Sequence, residues 1–226
     1  MRPITIDQSH QVMATLAINT NWSEIDFEES GLQDLIVRNP KEAGRQFTTF
    51  LKNGGRTIAT PFPLWRTIKL GTGIKDGKGF QEAIENDGMK VNDWARDMLC
   101  QSAFTVTTME TEVDLVKVTV EELGFHEATR YDKICERARQ LGLQLCPNEV
   151  GPQLRLQYKE QPNGEWIRVA MEAIRDSGGR LRLFGVGHDD GVLWLDGDFA
   201  SPGSLFDPGD AFVFVVPASN LQVWVK

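Results

Sequence analysis

Apolar positions recur at helical spacing through the first hundred residues and at strand spacing through most of the remainder. Val12, Met13, Leu16 and Ala17 share one helical face behind a candidate cap, Asp7. A second short helix carries Leu32, Leu35 and Ile36 and stops before Pro40, because a residue ahead of proline avoids the helical region. A third places Ala43, Phe47, Phe50 and Leu51 on one face, and Gly54-Gly55 ends it. Arg56 to Pro63 reads as a connection and Trp65 to Leu70 as a strand. The glycines at 71, 73, 77 and 79 read as a flexible loop. Two helices follow, one over Phe80 to Asn86 and one starting at Asn92 with Trp94, Ala95, Met98 and Leu99 together.

Beyond Cys100 the spacing becomes strand-like. Phe104–Thr108, Val113–Val120, Leu154–Tyr158, Trp166–Ala173, Leu181–Val186, Val192–Leu195 and Ala211–Val216 are the expected strands, with a last extended piece at Leu221, Val223 and Val225. Asn163-Gly164, Gly178-Gly179 and Asp190-Gly191 supply hairpin turns. One helix interrupts this half. Thr129 and Asp132 suggest its capping box, and Tyr131, Ile134, Cys135, Ala138 and Leu141 form its apolar stripe. The expected class is therefore α+β: a helical N-terminal region, then a mostly antiparallel sheet carrying one amphipathic helix. The expected division is a helical segment over 1–64 and an α+β domain over 65–226.

Composition narrows the partners. The 226 residues carry a net charge of −8, with 41% apolar and 25% charged residues, ordinary values for a globular chain. An acidic chain is poorly suited to phosphate backbones or anionic lipid, so nucleic acid and membrane are disfavoured partners. The start lacks a basic then apolar leader, and no apolar run is long enough to span a bilayer. Three cysteines, an odd and sparse set, fit a reducing compartment, and a cytoplasmic location is expected.

The string ATRYDKICERARQLGLQLCPNEVGPQLRLQYKEQPNGEW at 128–166 resembles a recurrent family of uncharacterised bacterial proteins. The likeness extends from WRTIKLGTG at Trp65 through NDWARDML, TEVDLVKVTVEELGF and GEWIRVAMEAI to FVFV. That family implies no activity, ligand or catalytic residue.

Familiar catalytic motifs are incomplete. The glycine loop sits between a strand and a helix, as a phosphate loop does, but Gly73 and Gly77 are separated by three residues and Gly79 follows Lys78. Asp176-Ser177-Gly178-Gly179 echoes a serine-protease strip, yet Arg175 and Arg180 flank it where glycine and proline belong. Cys146 has no histidine tied to it by spacing, and Cys135 and Cys100 lie on apolar faces. No C-x-x-C, H-x-x-x-H or H-E-x-x-H occurs, so no familiar zinc set is expected.

The uneven charge is more informative. From Leu183 to Val225 there is no Lys, Arg or Glu but six aspartates: Asp189, Asp190, Asp196, Asp198, Asp207 and Asp210. His188, Trp194, Phe199 and Phe206 are interleaved with them. Arg130 to Arg182 instead holds ten basic residues against seven acidic ones. The two segments either complement each other within one sheet or favour self-association into a homo-oligomer. The expected site is a ligand or partner surface made of His188, Asp189, Asp190, Trp194, Asp196 and Asp198, for a sugar, another small molecule or a basic peptide. Loop aspartates also prefer hard cations, so Asp196 and Asp198 are candidate ligands for Ca²⁺ or Mg²⁺, and no other cofactor is expected. The same aspartates can serve turns alone. The leading expectation is a soluble, non-enzymatic binding or interaction protein. The alternative is an unfamiliar hydrolase using His188 with Asp189, Asp190 or Asp196.

Overall fold

The computed structural model describes residues 62–217, with Ala14, Ala17, Val37, Pro40, Lys41, Ala43, Gly44, Phe47 and Thr48 as isolated positions before them. The chain divides into two units, Met1–Arg56 and Thr57–Lys226. The three expected N-terminal helices lie outside the described residues apart from those positions, as does the extended piece at Leu221, Val223 and Val225.

The second unit is α+β. Its strands are β1 (Arg66–Leu70), β2 (Lys90–Val91), β3 (Thr111–Thr119), β4 (Thr129–Arg130), β5 (Trp166–Val169), β6 (Ile174–Arg175), β7 (Leu181–Asp189), β8 (Val192–Phe199), β9 (Leu205–Phe206) and β10 (Ala211–Val216). Its helices are α1 (Gly77–Asn86), α2 (Asp93–Leu99), α3 (Tyr131–Gln140) and α4 (Val150–Gln157). One mixed sheet runs β1-β3-β10-β5-β7-β8-β2, with β6 also on β7, while β4 and β9 form a separate pair. The contacts β10–β5 and β2–β8 are parallel, and the other strand pairs are antiparallel.

Strand alternation assigns the faces. Phe184 of β7 pairs with Gly197 of β8. A Cβ on Gly151 of α4 would come 2.5 Å from the Phe184 Cβ, and a Cβ on Gly197 would come 2.8 Å from the Trp94 Cβ of α2. These two helices therefore lie on one face. Phe212 of β10 pairs with Arg168 on the other face, where Tyr131 of α3 stacks on it at 6.0 Å and Phe206 meets it edge-on at 5.0 Å. The core between these layers includes Ile68, Leu115, Ile134, Leu154, Ile167, Phe184, Leu195 and Phe214, all 1% exposed or less.

Several expected elements differ for physical reasons. Leu154–Tyr158 is not a strand, because residues 150–157 form α4. The Leu-Arg-Leu-Gln-Tyr alternation imitates a half-exposed strand, but Gln153 and Arg155 are buried. Phe104–Thr108 joins no strand, and two of its amides bond to side chains instead of to a neighbouring strand. Thr105 N donates to Asn148 Oδ1 at 3.1 Å and Thr107 N to Glu149 Oε2 at 2.6 Å. Strand β5 ends at Val169 instead of reaching Ala173. The expected capping box of α3 does not form. Arg130 is the cap, without a side-chain bond, and its guanidinium holds Asp132 at 2.8 Å. The helices expected near Phe80–Asn86 and after Asn92 are α1 and α2, and beyond them two helices, α3 and α4, stand where one was expected. Asp190-Gly191 does form the β7–β8 turn, with φ of 48° and 73°, the left-handed pair of a type I′ hairpin.

The glycine stretch is a packed helix start. Gly77 opens α1, and a Cβ there would fall 1.9 Å from the Leu99 carbonyl oxygen at the end of α2. Asp76 caps the helix by accepting from Gly79 N at 2.8 Å. Its carboxylate fills the place a bound phosphate would take.

Gly151→Ala tests the α4 contact. Alanine improves helix propensity by about 1 kcal/mol, but the added methyl collides with Phe184, and overpacking costs about 1–3 kcal/mol. The variant should show a lower urea midpoint, and an unchanged or higher midpoint would refute the close contact. Arg155→Met should cost about 3 kcal/mol, because the buried acceptors that Arg155 serves lose their donor at roughly 1–3 kcal/mol each while the desolvation of the charge is recovered.

Candidate ligand-binding site

On the face opposite α4, the middle of the sheet has a gap. Register places Trp166 of β5, Gly187 of β7 and Trp194 of β8 in one row. Arg168, Gly185 and Asp196 form the next row, and Leu183 and Asp198 follow. The two central glycines leave a trough between the side chains of β5 and β8. At Gly187 it is filled, since a Cβ there would lie 2.4 Å from Trp166 Cε3 and Cζ3. At Gly185 it is open, since a Cβ would meet nothing closer than 3.6 Å. The result is a cleft of about 240 Å³ lined by Trp166, Ile167, Arg168, Gly185, Asp196 and Asp198. Trp166 is 40% exposed.

Arg168 organises the charge. Its Nε donates to Asp198 Oδ2 at 2.7 Å and its Nη1 to Asp210 Oδ1 at 2.9 Å. Its guanidinium also lies 5.1 Å from the Phe206 ring centroid. The basic middle segment and the acidic tail thus meet within the sheet. Asp198 is committed on both oxygens, because its Oδ1 accepts from Phe199 N at 2.8 Å. Asp196 Oδ1 accepts from Gly197 N at 2.7 Å and from Asn92 Nδ2. Burial raises the Asp196 carboxyl above the usual carboxylate range, with the Asp198 charge adding to the effect against the pull of Arg182 and Arg168.

Of the expected site residues, Asp196 and Asp198 line the cleft and Trp194 shares their face. The Lys90 Nζ lies 5.1 Å from the Trp194 ring centroid. His188 pairs with Leu193 and so projects from the other face, with Nδ1 2.6 Å from Gln161 O. Asp189 and Asp190 are exposed at the hairpin tip. Asp207 belongs to a separate turn, where its N–H donates to Asp210 Oδ2 at 2.8 Å. Among the described residues, no group of three or more His, Cys, Asp or Glu side chains is placed to hold a metal ion. Trp166, Arg168 and Gly185 were not expected. Their sequence signal was the basic middle segment and the Gly-x-Gly within a strand, where glycine marks a close backbone approach.

Other groups singled out from sequence are occupied elsewhere. Ser177 donates through both N and Oγ to Asp97 Oδ2 at 2.8 Å, and the amide bond holds the Asp97 carboxyl below its ordinary range. Asp176 Oδ2 accepts from Arg182 Nε at 2.6 Å. Burial pushes the Cys135 thiol up to about 11 and raises the Cys146 thiol further. Neither supplies a thiolate near neutral pH.

Family models, curated proteins and solved structures show no match to the chain. Among the described residues, no helix is long and apolar enough to cross a membrane.

Asp196→Asn keeps the Oδ1 acceptor and removes the charge. The folded-state carboxyl binds its proton at higher pH than the unfolded one. Stability from that proton is therefore complete below the unfolded value and is lost as pH rises through the folded value. Asp196→Asn should melt a few degrees above the parent at pH 7. The difference should vanish below the ordinary carboxylate value of about 3.9. Thermal melts across that range check it, and a variant that melts lower at pH 7 refutes the burial cost.

Proposed function

We propose that this chain is a non-enzymatic binding protein that receives a small ligand in the cleft between β5 and β8, above Gly185. The observation that carries the reading is the side-chain gap at Gly185 in an otherwise filled sheet, walled by an exposed indole, a guanidinium and two carboxylates. Concave sites with an aromatic wall and a few fixed polar groups are the usual form of small-molecule sites. The hydrolase reading needs His188 beside Asp196, and strand alternation puts these side chains on opposite faces. Its remaining partners, Asp189 and Asp190, are solvated turn residues.

An amide NMR screen with a broad small-molecule library tests the reading. Ligands should shift the Trp166, Gly185 and Asp196 resonances together, and Trp166→Ala should weaken them by about tenfold or more, the scale of losing one well-packed aromatic contact. A library in which no compound moves those three resonances overturns it.

A further inference from the structure

We infer that the ligand of this cleft is a neutral polyhydroxylated ring, a single sugar unit; this rests on the cleft being a binding site. The argument starts from which polar atoms there are still free. Arg168 spends Nε and Nη1 on Asp198 and Asp210. Its Nη2 has no hydrogen-bond partner among the described residues. Asp196 spends Oδ1 on Asn92 and Gly197, and its Oδ2 likewise has none. The row therefore holds one spare charged donor on β5 and one spare acceptor on β8, with Gly185 between them.

Each simple ligand class satisfies this pair differently. An anion would meet Arg168, but that guanidinium already faces two carboxylates, and Asp196 adds a third negative charge. A bare cation would satisfy Asp196 and be repelled by Arg168. A hydroxyl is both donor and acceptor. Two adjacent hydroxyls can donate to Asp196 Oδ2 and accept from Arg168 Nη2 at once. The C–H face of a sugar ring also suits contact with the Trp166 indole, an apolar surface with a polar edge. The volume of about 240 Å³ lies below the usual range for drug-sized ligands, roughly 300–1,000 Å³, so it fits one ring and not a chain of them.

Gly185 gives the clean test. Gly185→Ala meets no atom closer than 3.6 Å and needs no left-handed backbone, so the variant should melt at or above the parent. Its methyl nevertheless occupies the cleft floor. Glucose, mannose, galactose and ribose should be titrated singly into the full chain and followed by the Trp166, Gly185 and Asp196 amides. Agmatine, inorganic phosphate and cyclohexanol serve as cation, anion and single-hydroxyl probes. At least one sugar should shift those resonances, more strongly than cyclohexanol. Its affinity should fall about tenfold or more in Gly185→Ala and in Asp196→Asn, which replaces the free acceptor by a donor while leaving the fold intact. Sugar shifts that persist in Gly185→Ala overturn the inference. Shifts caused by agmatine or phosphate and by no sugar also overturn it, yet leave the binding reading standing. If none of the probes moves the cleft the sugar assignment fails, and the library screen separately decides whether the cleft binds at all.

Discussion

The rest of the second unit depends on burying one helix whose two ends are charged. Helix α4 lies against β7 with Val150, Gly151, Pro152, Gln153, Leu154 and Arg155 all buried. Glu149, at its N-terminal end, accepts from Gly71 N at 2.8 Å, Thr107 N at 2.6 Å and Gln153 Nε2 at 3.0 Å. Arg155, in its last turn, donates to Gln161 Oε1 at 2.6 Å, Gly187 O at 3.1 Å and Tyr158 O. Neither forms an ion pair among the described residues. Each charge instead sits at the helix end whose dipole favours it and bonds to fixed amides or carbonyls, although Arg155 Nε is buried with no partner among the described residues. Burial lowers the Arg155 guanidinium to about 10, still well above neutral pH. The charges act as junctions: Glu149 gathers the glycine loop and the 104–108 segment, while Arg155 gathers the loop after α4 and the back of β7. The backbone at Gly187, in the row next to Gly185, is held by that guanidinium.

A second constraint is that an open sheet must close its edges. The outer edge of β1 is closed by one side chain, since Lys69 N donates to Gln157 Oε1 at 2.9 Å and Lys69 O accepts from Gln157 Nε2 at 2.8 Å. The outer edge of β8, beyond the short β2, is closed by its own aspartates. Gly197 N bonds to Asp196, Phe199 N bonds to Asp198, and Gly197 O accepts from Arg182 Nη1 at 3.2 Å. Asp196 and Asp198 are thus not spare turn residues. They saturate the strand edge with one oxygen each; the other oxygen of Asp198 holds Arg168, and Asp196 lines the cleft.

How far the sequence disclosed this varies by residue. Strands with plain apolar alternation, such as β3 and β10, and turns with left-handed pairs, such as Asp190-Gly191, were legible because local preference and tertiary role agree. Helix α4 was not, because its polar positions face inward, and binary pattern assumes that polar means solvent. The 104–108 segment differs for the complementary reason: its apolar spacing resembles a strand, but the partners of Thr105 N and Thr107 N are side chains distant in sequence. For the proposed cleft, the aspartate concentration pointed to β8 and to two of the residues that line it. It also pointed to His188, whose one-residue offset from Gly187 places it on the far face. For Arg168 the basic middle segment was the only signal, and it does not single out this arginine, because nothing local distinguishes one that pairs with Asp198 and Asp210 from one left in solvent.

The cleft exists because two requirements conflict at one strand. On the helix side, β7 must present Phe184 to Gly151 at close range, which fixes the parity of every residue in the strand. The opposite parity then falls on Leu183, Gly185 and Gly187. A side chain at 187 would have to share space with Trp166, which reaches across from β5. Trp166 uses the space at Gly187, so that glycine is required by packing. No neighbour uses the space at Gly185. A β-branched residue there would favour the strand, since glycine weakens strand interiors. Packing thus leaves Gly185 unrequired, and its missing side chain, beside a desolvated carboxylate and a guanidinium with two of its nitrogens committed, is what keeps the cleft open.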